Sequence, residues 1–445
     1  MKKILFIMGV TALAMTSCSN EEVLNVNPAR TDANPVSFRV RSSKHSRSME
    51  YSTGNLEKFM VFGFKGWPED NYEEGKDLIP YFEGGNPLLF SSNGSGLFTS
   101  NPAYYYPVDG SYLYFSAYAP TTLNMQSIAY GGTQLTNFTV DADITKQLDI
   151  ICANGGSNLE KDEPDQELTF QHAMTKVFIS RIMNSDTRYK YEIAGIKIGN
   201  ISNTGNFIYR GEKSLTQDPD LVNGYFDEEG YLNDPVGNGF YWKTTTAQTD
   251  EMVYLFDTPL VLDSETETVY PMTGNDTGAE DNIGNADGAG KGGFMLIPQK
   301  LSSNYVNEDG VIDGNFGAGM SYIAFLVRIT YVPTNEVIYP YATGVENISK
   351  TIGEGDDAVT YAWAAFPVSS LWRPGTYTDY AVTLTNGAGY VAPGADSEIE
   401  FTPILGREIK FTEEVQFWPE FTDSSIDHNS ETDADGANTE DPDWF

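Results

Sequence analysis

Two cysteines and three histidines are few for a chain of 445 residues. So little cysteine excludes a disulfide framework, and His45, His172 and His428 are too scattered to form a local zinc motif. An EF-hand-like loop starting at Glu431 would place Pro442 where calcium needs a bidentate acid. A carboxylate pair for glycoside hydrolysis stays open, because acidic residues are abundant and their separation in space is unknown. We therefore expect no enzymatic activity, no cofactor and no metal site.

Positive charge is also scarce. The chain has 27 lysines and arginines against 63 acidic residues, a formal net charge of −36. Such a protein repels polyphosphate, so nucleic acid is excluded as a partner. With 40% hydrophobic and 13% aromatic residues, the chain can still bury large cores, and its length suggests two or three domains.

A long apolar run occurs at the N-terminus, where Lys2 and Lys3 precede residues 4–15. That run is too short for a stable transmembrane helix and is typical of an export signal, here residues 1–17. The following "MTSC" resembles a bacterial lipoprotein box, which implies acylation of Cys18, for example with palmitate, and anchorage in the outer membrane. A plain secretory signal with an incidental Cys18 is the alternative. Residues 18–35 are polar and predict a tether.

Alternating apolar and polar residues dominate the mature chain. "VSFRVRS" places Val36, Phe38 and Val40 on one face, which predicts a half-buried strand over residues 36–42. Long amphipathic helices are hard to find, so we predict an all-β fold of antiparallel Greek-key sandwiches. The polar stretch 155–166 predicts a boundary between sandwiches at 36–158 and 159–420. An acidic, glycine-rich insertion covers 272–293, and residues 421–445 have the composition of a disordered tail.

One predicted strand, "LTFQHAMTKVFIS" (168–180), aims His172 and Lys176 at its apolar face. We expect structural roles for both. His172 would satisfy backbone groups at a domain junction, and Lys176 would keep its ammonium in water or on a carboxylate. Cys152 in "LDIICANGG" is interpreted as a small buried hydrophobic residue. Trp67, Tyr104 to Tyr106 and Trp372 could stack on sugars, although core positions are the commoner fate of strand aromatics.

Several segments, in order, resemble the fimbrillin family, the subunits and associated proteins of type V pili. They are "YYYPVDGSYLYFSAYAP", "LDIICA", "LTFQHAMTKVFIS", "FMLIPQ" and "WRPGTYTDYAVTLT". The resemblance implies two consecutive transthyretin-like Greek-key β-sandwich domains and a structural or adhesive role at the cell surface, without catalytic residues. It also implies other fimbrillin-type subunits as partners, and host or bacterial surface ligands.

In pilus-forming members a protease cuts after an arginine just beyond the first strand, which then leaves its sandwich. Arg47 and Ser48 match that position, with Arg30, Arg39 and Arg41 as rival sites. A strand from a neighbouring subunit would fill the groove by β-augmentation.

The candidate donor strand is "REIKFTEEVQFW" (407–418). Its shared apolar face, interrupted by Glu413, comprises Ile409, Phe411, Val415 and Phe417. The alternative is that this segment is simply the last strand of the second domain. The tail beyond it departs from the pattern of a stalk subunit, whose extreme C-terminus is the donor strand. A non-polymerising surface adhesin or glycan-binding lipoprotein is therefore the alternative function.

Overall fold

β-strands form almost all of the regular structure. The computed structural model describes residues 35–41, 56–66, 78–107, 111–128, 132–155, 165–209, 232–233, 239–272, 293–301, 316–384, 387–405 and 410–417. Single turns of 3₁₀-helix occur at Glu83–Gly85, Ile144–Lys146, Glu346–Ile348 and Gly355–Asp357. The predicted all-β fold is confirmed. Across the described ranges, no helix is long and apolar enough to cross a membrane.

The strands of the described residues, numbered in chain order, are β1 Ser37–Arg41, β2 Lys58–Gly66, β3 Ile79–Pro80, β4 Leu88–Ser92, β5 Leu97–Ser100, β6 Tyr112–Ala119, β7 Gln126–Ser127, β8 Thr133–Thr139, β9 Ile151–Gly155, β10 Asp165–Thr169, β11 Gln171–His172, β12 Thr175–Asn184, β13 Tyr189–Ile201, β14 Thr204–Tyr209, β15 Leu232–Asn233, β16 Phe240–Thr244, β17 Asp250–Leu262, β18 Thr268–Val269, β19 Phe294–Leu296, β20 Gln299–Lys300, β21 Tyr322–Tyr331, β22 Glu336–Tyr339, β23 Ser349–Ile352, β24 Val359–Pro367, β25 Leu371–Trp372, β26 Thr376–Leu384, β27 Tyr390–Val391 and β28 Lys410–Phe417.

The N-terminal sheet folds back towards its own start. Its strand order is β10-β1-β5-β4-β2-β6-β9-β11, with β3 added beside β2. The two end strands, β10 and β11, are separated in sequence by Phe170 alone. The sheet therefore encloses an apolar interior, called the inner core here. Its buried residues are Val36, Phe38, Leu56, Phe59, Val61, Phe82, Leu88, Phe90, Phe98, Leu113, Phe115, Ala117, Ala119, Ile151, Ala153, Leu168 and Phe170.

The other face of this sheet belongs to a second, larger cluster, called the main core. On β2, Phe59 and Val61 face the inner core, whereas Phe62 and Phe64 belong to the main core. This is the period-two alternation of a strand with both faces buried. The main core continues through the sheets formed by the later strands.

Those sheets are a seven-stranded one, β17-β13-β21-β24-β23 with β22 and β27 added, and a five-stranded one, β18-β12-β26-β28 with β19 added. A further five-stranded sheet has the order β15-β16-β14-β8-β7, and β20 pairs with β25. Strands from both sides of residue 158 share sheets, because β8 pairs with β14 and β1 pairs with β10. The division into domains at 36–158 and 159–420 stays a prediction.

The segment predicted as one strand over 168–180 spans parts of three strands: the end of β10, β11 and the start of β12. Leu168 and Phe170 lie in the inner core, whereas Met174 and Val177 lie in the main core. The breaks at Phe170 and at residues 173–174 let the chain pass from one core to the other. A single straight strand could not do this, because all of its inward residues would face one interior.

His172 lies where the chain passes from the inner core to the main core, and its side chain contacts a carboxylate. Its ring atom Nδ1 is 2.9 Å from Asp149 Oδ1, and both side chains are buried. The sequence predicted backbone partners, because no local pattern connects Asp149 with His172. This hydrogen bond connects the residues just before β9 with β11.

For Lys176 the sequence predicts an ammonium in water or on a carboxylate; burial excludes the first, and the second stays a prediction. The residue is only 2% exposed. The loss of hydration lowers the pKa of its amine from 10.5 to about 7. The charged form is therefore disfavoured in the folded chain.

We predict that Lys176 makes stability increase with pH. The unfolded chain holds this proton up to about pH 10.5, whereas the folded chain releases it near pH 7. Between these values the unfolded state binds more protons, so the free energy of unfolding rises with pH. Urea unfolding of Lys176→Met should show a more stable protein than wild type at pH 7, with a gap that narrows towards pH 10. Lys58→Met, at an exposed position of β2, controls for the lost charge, and a gap that does not change with pH would contradict the prediction.

Candidate functional site

Only some of the predicted site residues lie in the part of the chain that the structure describes. Cys18, Arg47, Ser48, Ile409 and Trp67 lie outside the described residues. Val36 and Phe38 are buried, and Val40 is half-buried. Phe411, Val415 and Phe417 lie on β28. Among the described residues, the two elements of the predicted strand exchange are therefore β1 and β28.

β1 is an interior strand of its sheet, with a neighbour on each side. It runs antiparallel to β5, where Phe38 lies opposite Phe98, and parallel to β10, where Phe38 lies opposite Gln166. Just before the strand, the Val36 N–H donates to the Tyr104 carbonyl at 2.7 Å. Loss of β1 would leave unpaired backbone groups on both β5 and β10.

Phe38 is the apolar centre of β1. It is fully buried, and its ring centroid lies 4.7 Å from that of Phe90, 5.0 Å from Phe115 and 6.0 Å from Phe59. All three contacts are edge-to-face, the arrangement that aromatic quadrupoles favour. Removing β1 would therefore leave an aromatic-lined groove that water hydrates poorly.

Gln166 is a polar residue in this apolar interior, and the sequence analysis did not single it out. It is 4% exposed, and within the described part of the chain its Oε1 has no hydrogen-bond partner. The oxygen lies beside the end of β9, since a Cβ added at Gly155 would be 3.5 Å from it, an ordinary van der Waals contact. A buried, unpaired amide oxygen typically costs about 1–3 kcal/mol. The available signal was its position two residues before Leu168 and four before Phe170, which places it on their face.

β28 is the edge strand of its own five-stranded sheet. It pairs antiparallel with β26, from Thr376 opposite Phe417 to Thr383 opposite Lys410. Val415 is 50% exposed. In this chain β28 thus forms the last strand of a sheet, as the alternative interpretation expects, and its role as a donor strand stays a prediction.

Glu413 interrupts the apolar pattern of β28 and is held by polar partners. It lies opposite Tyr380 in the register. Burial raises the pKa of its carboxyl, while hydrogen bonds from Ser370 and Tyr380 act in the other direction. The Trp372 Nε1–H donates to the Tyr380 hydroxyl at 3.4 Å, so one polar network connects β25, β26 and β28.

The other candidate groups have structural positions. Trp372 is fully buried and therefore not available for stacking on a sugar, while Tyr104 packs against Phe82 with ring centroids 5.1 Å apart. Cys152 is a free, buried cysteine, as predicted, and burial raises the pKa of its thiol. Among the described residues, no group of three or more histidine, cysteine or acidic side chains could hold a metal ion.

We predict that Phe38→Ala lowers the free energy of unfolding by about 3–5 kcal/mol, because it removes a ring from a packed aromatic cluster. Chemical denaturation followed by fluorescence and circular dichroism measures the change. Arg39→Ala is the matched control, since Arg39 lies on the same strand but is exposed; we expect it to stay within about 0.5 kcal/mol of wild type. Equal losses for the two variants would contradict the burial argument.

Comparison with known proteins identifies similar solved structures and a matching family. Two similar solved structures are a fimbrial protein from Bacteroides vulgatus and the C-terminally truncated tip fimbrial protein Mfa3 from Porphyromonas gingivalis. The first has 14% sequence identity and a TM-score of 0.41, covering 86% of this chain and 99% of that chain. The second has 8% identity and a TM-score of 0.27, covering 86% and 100%. Similarity at this level carries no argument about function. A search of curated proteins finds no match.

A family model is more informative. The model described as fimbrillin-like matches residues 52–401, most of the 445-residue chain. β1 and β28 lie just outside the two ends of the match. The extent of this match shows that the chain belongs to the fimbrillin-like family.

Proposed function

We propose that this protein is a structural or adhesive subunit of a type V (fimbrillin) cell-surface pilus. Assembly would begin with proteolytic removal of β1 and continue by donor-strand exchange. The observation that carries the proposal is the position of β1, which is paired on both sides and places Phe38 in the inner core. Membership of the fimbrillin-like family supports the coarser statement, a pilus or adhesion role at the cell surface.

Exchange has a clear driving force in this geometry. A chain without β1 would expose two strand edges and the aromatic rings around Phe38. An incoming strand would restore the backbone hydrogen bonds of β5 and β10 and rebury the rings. Because many contacts would have to break together, the new joint should dissociate slowly. The partners are other fimbrillin-type subunits, and β28 of a neighbouring copy is the candidate donor.

Anchorage is the second part of the proposal. Before cleavage, acylated Cys18 would hold the protein in the outer membrane, with residues 18–35 as the tether to β1; a cut after Arg47 and loss of β1 would release the rest of the chain from this anchor. Two acidic copies repel each other, since each has a formal charge of −36. Salt screens this repulsion over a Debye length of about 8 Å at physiological ionic strength, so assembly should depend on salt.

A second candidate is a non-polymerising surface adhesin. It is favoured by β28, which already pairs with β26 over the whole strand. A donor strand that stays in its own sheet could not enter another subunit. The two candidates differ in whether cutting the chain after β1 produces larger species.

We predict that trypsin treatment of the mature chain lacking Cys18 cuts after Arg47 and produces high-mass species, more of them at higher salt. Intact-mass spectrometry locates the cut, and size-exclusion chromatography reports assembly. Arg47→Ala should prevent both, because it removes the cleavage site, while Arg41→Ala, in the rival site at the end of β1, should leave both unchanged. A cut chain that stays monomeric at all salt concentrations would contradict strand exchange and favour the adhesin.

A further inference from the structure

The groove that holds β1 does not match that strand completely. Phe38 fills the aromatic pocket, but its direct neighbour on β10 is Gln166, whose buried Oε1 has no hydrogen-bond partner within the described residues. A phenyl ring cannot donate a hydrogen bond to this oxygen. While β1 occupies the groove, Phe38 therefore offers no hydrogen bond to the Gln166 Oε1.

Departure of β1 would change the surroundings of Gln166. Within the described part of the chain, β1 is the strand paired with β10, so Gln166 lies beside the opening that β1 leaves. Water could then hydrate its amide. The unmet hydrogen bond thus destabilises the state in which β1 is seated, relative to the state in which it has left.

The same oxygen distinguishes between strands that could fill the groove. A strand with a hydroxyl or amide N–H near the position of Phe38 could donate to Gln166, and it would gain a hydrogen bond that β1 lacks. An ionised side chain would fit less well, because burying a charge in an aromatic pocket costs more than one hydrogen bond returns. Tyrosine is the simplest probe, since it keeps the ring of Phe38 and adds a hydroxyl.

We propose that Gln166 is a specificity-determining residue of the groove: it weakens retention of β1 and selects an incoming strand with an uncharged hydrogen-bond donor at the position of Phe38. The inference rests on the proposed strand exchange and defines the chemistry of its partner. That partner is an extended strand whose inward-facing alternate positions are apolar, except for an uncharged hydroxyl or amide at the position of Phe38.

A double-mutant cycle on the intact chain tests the contact. Urea unfolding is compared for wild type, Phe38→Tyr, Gln166→Leu and the double variant. Phe38→Tyr lowers the ratio of folded to unfolded chain by some factor, and this factor should be about five times smaller when Gln166 is present than when Leu replaces it. That difference is the value of one neutral hydrogen bond. Additive effects would overturn the selection of a donor.

A release experiment tests the retention of β1, and it stands even if Phe38→Tyr does not fold. A specific protease site is inserted after Ser48, the chain is cut, and loss of the first-strand fragment is followed by mass spectrometry. Gln166→Leu should slow this release about fivefold, because it removes the unpaired amide. Gln171→Leu, on β11 and not paired with β1, is the control. Equal release rates for wild type and Gln166→Leu would overturn the proposal.

The same cut proteins separate this inference from the proposed function. Peptides with the sequence of residues 35–42, carrying Phe or Tyr at position 38, are offered to the cut wild type and to cut Gln166→Leu. Binding of the Tyr peptide about fivefold more tightly to wild type alone supports the inference. Equal preference in both proteins overturns it while strand exchange stands. If neither protein accepts either peptide, strand exchange itself fails, and the unfolding cycle still decides whether Gln166 bonds with a donor.

Discussion

The fit of β1 between β5 and β10 is the constraint on which the N-terminal sheet depends. Backbone pairing on both edges and the burial of Phe38 against Phe59, Phe90 and Phe115 act on one five-residue strand. Because β10 continues through Phe170 into β11 at the opposite end of the sheet, β1 also links the two ends of the layer around the inner core. A short strand thus pairs with both neighbours and buries Phe38 in the inner core. Because β1 is short, few contacts would keep it in place once the chain is cut after it.

Polar groups inside the apolar cores occur where the chain changes its environment. The segment from Gln166 to Val177 leaves the inner core and enters the main core, and Gln166, His172 and Lys176 are all buried along it. The three side chains differ in how their polar atoms are accommodated. His172 has the Asp149 carboxylate, burial lowers the pKa of the Lys176 amine, and the Gln166 oxygen has no partner among the described residues. Each buried polar group lowers stability compared with a well-packed apolar residue.

Local alternation was sufficient to predict the all-β fold, and it placed the first strand at 36–42, where the structure has Ser37–Arg41. It also identified Val36, Phe38 and Val40 as one face, of which Val36 and Phe38 are buried and Val40 is half-buried. The same pattern could not show that 168–180 spans parts of three strands, because alternation describes faces and not the interior that each face meets. Nor could it show that Gln166 lies opposite Phe38, that Asp149 meets His172, or that β8 pairs with β14. These are pairings between distant segments, and they are set by topology. The burial of Lys176 likewise depends on strands far away in sequence.

The most direct test of the account is amide hydrogen exchange of β5 and β10 in the intact, cut and assembled protein. If β1 is a removable strand whose place another strand takes, the amides of β5 and β10 that bond to β1 are protected in the intact chain, exchange rapidly once β1 has been released, and are protected again in the assembled species, while the amides of β5 that bond to β4 stay protected. β13 and β21, which pair with each other in another sheet, should stay protected throughout. If the protection of those amides of β5 and β10 that bond to β1 does not change after its release, this would contradict the central claim, because it would mean that their hydrogen bonds do not depend on that strand.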